Sequence, residues 1–75
     1  MRVRERERHR QVTFHLDNLL ESRKLTLTEL ANRVDITLVN LSILKNNRAK
    51  AIRFSTLEAL CKALDCQPGD LMTYE

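Results

Sequence analysis

Thr26-Leu27-Thr28-Glu29-Leu30-Ala31-Asn32-Arg33-Val34-Asp35-Ile36-Thr37-Leu38-Val39-Asn40-Leu41-Ser42-Ile43-Leu44-Lys45-Asn46-Asn47 reads as two short helices around a tight turn. Thr26 and Glu29 have the spacing of a capping box, in which the hydroxyl accepts from the Glu29 amide and the carboxylate reaches back to the Thr26 amide. Leu27, Leu30, Ala31 and Val34 then recur at helical spacing, which predicts a helix over about 27–33 with one inward face. Val34-Asp35-Ile36 forms the turn. Thr37 caps a second helix over about 38–45, whose inward pair is Leu41 and Leu44. Asn46-Asn47 ends it, because Asn enters the left-handed backbone region more readily than most residues with a side chain.

Outward from this core the periodicity stays helical. Val12, Leu16, Leu19 and Leu20 predict a first helix over about 12–23, with Asp17, Asn18, Glu21 and Arg23 on its solvent side. Ser55-Thr56-Leu57-Glu58 has the form of a second capping box, ahead of a helix that buries Leu57, Leu60, Cys61 and Leu64. Gln67-Pro68-Gly69-Asp70 opens a short last helix, with Pro where its missing amide leaves nothing unpaired. Leu71 and Met72 pack that helix back on the core. One Gly and one Pro in 75 residues favour helix throughout, and nothing reads as an alternating strand bounded by turns. The expected architecture is therefore all-α, a compact five-helix unit over 12–75, preceded by a flexible basic arm over 1–11.

Charge narrows the function. The chain carries a net +3. Five arginines (Arg2, Arg4, Arg6, Arg8 and Arg10) against Glu5 and Glu7 place that whole excess in the first ten residues. The remainder is neutral, yet Lys45, Arg48, Lys50 and Arg53 cluster in a stretch without an acid from Ile36 to Leu57. A basic arm and a separate basic patch are the footprint of a polyanion binder. A chain this short has little room for an enclosed substrate cleft. It holds no P-loop, no His-Glu-x-x-His and no nucleophile paired with His9 or His15, so catalysis and a small-molecule substrate are not expected. Cys61 and Cys66 lack metal-ligand spacing relative to either histidine, so neither metal nor cofactor is expected. No apolar run is long enough for a signal or a membrane span, which points to a reducing, cytoplasmic setting in a bacterium, archaeon or phage.

The capping Thr26, Glu29-Leu30-Ala31, Ile36 in the turn, Thr37 and the Leu41–Lys45 run together resemble the helix-turn-helix of the Xre/Cro-type, lambda-repressor-like family of phage and bacterial regulators. The continuation from Ala51 to Leu71 resembles the last two helices of that family, and the likeness covers about 12–72. It implies a transcriptional regulator, most simply a repressor, with the helix over 38–45 in the major groove of double-stranded DNA. By position it assigns base contact to Leu38, Val39, Asn40 and Ile43, and backbone phosphate to Thr26, Thr37, Ser42 and Asn46. Lys45, Arg48, Lys50 and Arg53 follow the recognition helix, where phosphate contacts fall in this docking geometry. The sequence departs from family habit in Leu27, where a phosphate-binding Gln is frequent, and in Asp35 and Asn47, where Gly is common.

Three of the four base-contact positions are aliphatic. Such residues read thymine methyl groups, while Asn40 suits adenine. The other readings of Leu38, Val39 and Ile43 are a protein-contact patch, as in an antitoxin-like module, or a broader core. Arg53 can equally cap a neighbouring helix end. Phe54 and Tyr74 suit either a dimer face or, for Phe54, the core. Pairing of two copies on half-sites is expected, since one domain touches few base pairs.

Overall fold

Residues 10–75, described in a computed structural model, begin with a strand where a helix was expected. β1 (Val12–Phe14) is followed by α1 (Leu16–Arg23), α2 (Leu27–Val34), α3 (Leu38–Lys45), α4 (Phe54–Leu64), α5 (Pro68–Leu71) and β2 (Met72–Tyr74). The strands pair antiparallel with Val12 opposite Tyr74, Thr13 opposite Thr73 and Phe14 opposite Met72. Backbone bonds extend the ladder at both ends: Gln11 and Glu75 exchange them at 2.6 and 2.9 Å, and the His15 amide donates to Leu71 O at 2.6 Å. The all-α expectation is thus corrected to a helical fold with a small antiparallel sheet. Both strands are rich in β-branched and aromatic residues, which suit a pleated ladder. Each is only three residues long and its partner lies at the far end of the chain, so no local turn signals the pairing. Val12, expected as the first inward residue of a helix, is an exposed strand residue instead.

The helices follow the leucine pattern. Ten leucines and Val34 make up the buried apolar set, and no polar side chain is buried among the described residues. Leu16, Leu30, Leu41, Leu60, Leu64 and Leu71 are almost completely enclosed, so every helix contributes at least one. Each such side chain stabilises the fold by about 1.5–3 kcal/mol through area removed from water.

Capping explains where the central helices begin. The Glu29 amide donates to Thr26 Oγ1 at 3.1 Å and the Thr26 amide to Glu29 Oε1 at 2.8 Å, the expected box. The Asn40 amide donates to Thr37 Oγ1 at 3.1 Å, so α3 has the predicted bounds. The second box does not form. α4 starts at Phe54 with Arg53 as N-cap and no side-chain cap, which puts Ser55 and Glu58 inside the helix. The Leu57 amide already bonds Arg53 O at 3.0 Å there, so the Glu58 amide that a Ser55 cap would serve lies past the open amides of the first turn. α5 opens at Pro68, and the Gln67 amide donates to Asp70 Oδ2 at 3.0 Å.

Helix ends rely on residues other than glycine. Lys24, Asp35, Asn47 and Asp65 all adopt positive φ, between 50° and 59°, and the single glycine of the chain is at none of these places. The end of α4 receives further help from Arg23, whose Nε donates to Leu64 O at 2.8 Å and Nη2 to Asp65 O at 3.1 Å. A guanidinium at a helix C-terminus satisfies its last carbonyls and opposes its dipole. The side chain that caps a neighbouring helix is therefore Arg23, not Arg53.

Candidate nucleic-acid interface

α3 is held from one side only. Leu41 and Leu44 are buried, while Val39 is 69% exposed, Leu38 46% and Ile43 38%. These three aliphatic residues are surface, which rules out a broader core. Asn40 is exposed as well, and among the described residues its carboxamide makes no hydrogen bond, its backbone amide alone being used by Thr37.

Beside this helix runs a groove of about 640 Å³. Thr37, Asn40 and Ile43 line it together with Arg48, Lys50 and Arg53, and Asp35 is the one acid in the lining. Three cations against one carboxylate leave the groove positive. Arg48, Lys50 and Arg53 are exposed and none forms a salt bridge among the described residues. The structure thus gathers Asn40 and Ile43 from the expected base-contact set with Thr37, Arg48, Lys50 and Arg53 from the phosphate set.

The remaining expected residues stand apart from the groove. Leu38 and Val39 project from α3 outside its lining. Lys45 is half-buried and turns toward α1, with Nζ 3.6 Å from Asp17 Oδ1. Ser42 and Asn46 bind one another: Asn46 Nδ2 donates to Ser42 O at 3.0 Å and to Ser42 Oγ at 3.3 Å. Thr26 lies in its capping box, which holds the Glu29 carboxyl below its usual range through the bond from the Thr26 backbone first and the Thr26 side chain second. Phe54 is 81% exposed, so its core reading falls. Tyr74 is exposed on β2, with the Arg10 guanidinium 4.7 Å from its ring centroid. The basic run before Arg10 lies outside the described residues.

Sequence reasoning gave Asn47 only a turn. Its side chain does more. The Phe14 amide donates to Asn47 Oδ1 at 2.6 Å, and Asn47 Nδ2 donates to Phe14 O at 3.4 Å. The carboxamide stands in for a neighbouring strand and ties β1 to the turn that ends α3. On β2, Thr73 donates to Glu75 and pairs with His15 Nε2 at 2.7 Å, which accounts for this histidine structurally. The only signal for the Asn47 clamp was an amide where glycine would relax the backbone.

Among the described residues no three or more His, Cys, Asp or Glu side chains gather as a metal-ligand group. Cys61 and Cys66 are free thiols, and burial, followed by the neighbouring Cys61 thiol, pushes Cys66 up to about 11. No helix is long and apolar enough to cross a membrane.

A capped helix pair whose second member is exposed beside a cationic groove defines a helix-turn-helix nucleic-acid binder. The chain belongs to the Cro/C1-type HTH DNA-binding domain family, which matches residues 15–75. It is 60% identical over 63 residues to YozG, an uncharacterized HTH-type transcriptional regulator of Bacillus subtilis (strain 168), covering 84% of this chain and 75% of the relative. The fold is similar to that of the transcriptional regulator VanUg in a crystal structure, with a TM-score of 0.73, 25% identity and coverage of 88% and 87% of the two chains. The protein is accordingly a DNA-binding, helix-turn-helix member of a transcription-regulating family.

Proposed function

We propose that the protein is a small cytoplasmic repressor, without enzymatic activity, that lays α3 in the major groove of an operator as a homodimer. The observation that carries this reading is the cationic groove beside an exposed α3, with Arg48, Lys50 and Arg53 unpaired by any described carboxylate. Leu38, Val39, Asn40 and Ile43 meet base edges. Thr37, Arg48, Lys50 and Arg53 meet phosphate most directly, with Thr26, Ser42, Lys45 and Asn46 further along the backbone track. Ser42 and Asn46 keep their mutual bond in doing so, and Lys45 exchanges Asp17 for phosphate at little expense, since exposed ion pairs contribute about 0–1 kcal/mol. The binding domain takes in Arg10 and Gln11, which pack on Tyr74 and pair with Glu75 respectively, and the basic run of the sequence precedes it. Two copies on adjacent half-sites supply the specificity that one domain lacks.

Binding of the purified protein to random-sequence duplex across a salt series tests this, with single strands as control. Affinity is expected to fall steeply with salt, and Arg48→Ala with Lys50→Ala is expected to flatten the log–log slope by about 2, one for each lost phosphate contact. Equal affinity for single strands, or no duplex binding at low salt, rejects the reading.

A second reading is favoured by one observation, the aliphatic outer face of α3: the same surface of Leu38, Val39 and Ile43 receives a protein partner, as in an antitoxin-like module. It requires a stoichiometric complex that Val39→Asp abolishes.

A further inference from the structure

We infer that α3 reads its half-site through thymine methyl groups, and that the operator is consequently rich in A·T pairs at the positions this helix covers. The inference rests on the duplex-binding reading above and adds what the duplex must present. Each base pair shows the major groove a distinct edge, and the commonest specific contact is a bidentate Arg or Lys to guanine O6 and N7. α3 offers no such reader. Its eight residues contain one cation, Lys45, which lies in the last turn and points to Asp17. The side chains that face outward from its first two turns are Leu38, Val39, Asn40 and Ile43, and three of these have only carbon to present.

The thymine C5 methyl is the apolar feature of a major-groove edge that such side chains can cover. Water leaves both surfaces when they meet. Asn40 completes the readout. Its carboxamide is free among the described residues, and the adenine edge with N6 and N7 is the one a carboxamide fits as donor and acceptor together. A duplex suits this face better than an apolar protein surface because of what adjoins it. Asn40 and Ile43 also line the groove carrying Arg48, Lys50 and Arg53, and no acid intervenes from Ile36 to Leu57. Ile43 and Asn40 thus join the outer face of α3 to the cationic groove, in which Asp35 is the one acid, while Leu38 and Val39 stand on the same helix outside its lining.

The test separates the methyl group from everything else about thymine. Duplexes are selected from a random pool with the full chain, and the best half-site is resynthesised with deoxyuridine in place of thymidine, which removes the methyl and keeps the pairing edge. Each contacted thymine is expected to lose about fourfold in affinity, the transfer value of one buried carbon group. The slope against salt is expected to stay unchanged, because no phosphate contact is altered. Val39→Ala is expected to reduce the penalty at one thymine, and Asn40→Ala to relax the preference for adenine at one position. A selected site that is G·C-rich, or an A·T-rich site indifferent to uracil, overturns the inference and leaves the regulator reading standing. An absence of selectable duplex overturns both. Unaltered site preference in Val39→Ala, with a protein partner lost, assigns the face to protein and overturns it also.

Discussion

α2 and α3 have the same length and both are capped by a threonine, yet they treat their outer faces differently. α2 buries Leu30 and Val34 and shows water Thr28, Glu29, Asn32 and Arg33. α3 buries Leu41 and Leu44 and shows water Leu38, Val39 and Ile43. The first is the ordinary outcome for an amphipathic helix on a small core. The second cannot be explained by folding, because the core is already closed by the opposite face. On the proposed reading that outer face meets DNA, with Arg48, Lys50 and Arg53 beside it.

The sharpest way to break this comparison is within α3 itself. Leu41→Ala, at a fully buried position, is expected to cost about 2–5 kcal/mol in urea unfolding, while Val39→Ala is expected to stay within about 0.5 kcal/mol. Comparable losses in the two variants end the claim that α3 has a face without a folding role.

The next effect concerns caps. Thr26→Ala is expected to cost about 1 kcal/mol, whereas Ser55→Ala, inside α4 without a capping bond, is expected to change stability by less than about 0.5 kcal/mol. The α2 cap also has a pH signature. Because Glu29 is held below its ordinary value of 4.5, its contribution is complete above that pH and is lost as pH falls through the folded value. Thermal melts between pH 3 and 7 are expected to show this loss in the parent chain and a flatter profile in Glu29→Gln.

The smallest effect compares two left-handed residues. Lys24→Gly is expected to stabilise by about 0.5–1 kcal/mol, since a lysine at positive φ is strained and its side chain makes no bond among the described residues. Asn47→Gly gains the same relief but forfeits both bonds to Phe14, so its net change is expected to be near zero or unfavourable. Equal gains in both variants remove the clamp as an energetic element, and faster amide exchange at Phe14 in Asn47→Gly alone confirms it.

Much of this was legible in the residues. Thr26 and Thr37 mark where the central helices begin, and the leucine spacing marks which way they face, because capping and periodicity are local. What escaped was long-range. The ladder between Val12–Phe14 and Met72–Tyr74 joins two segments that carry no mutual signal. Arg23 has the look of a solvated end of α1 until Leu64 and Asp65 are brought beside it. Ser55 and Glu58 failed for a different reason: a capping spacing is necessary for a box, but the helix start is decided by where the backbone turns in, one residue before Phe54. For the site, the basic cluster was visible as a run without acids. That Lys45 would turn away from it was not.

An open strand edge invites other chains to add to it, and small proteins close such edges with charge, proline or a covering segment. Here the closure at Phe14 is a single carboxamide borrowed from the turn after α3. Further strands are thereby steered to the Met72–Tyr74 side, where an added peptide would not compete with Asn47. The side chain that covers β1 at Phe14 is therefore also the one that ties the end of α3 to the sheet, and Asn47 cannot be changed for one purpose without disturbing the other.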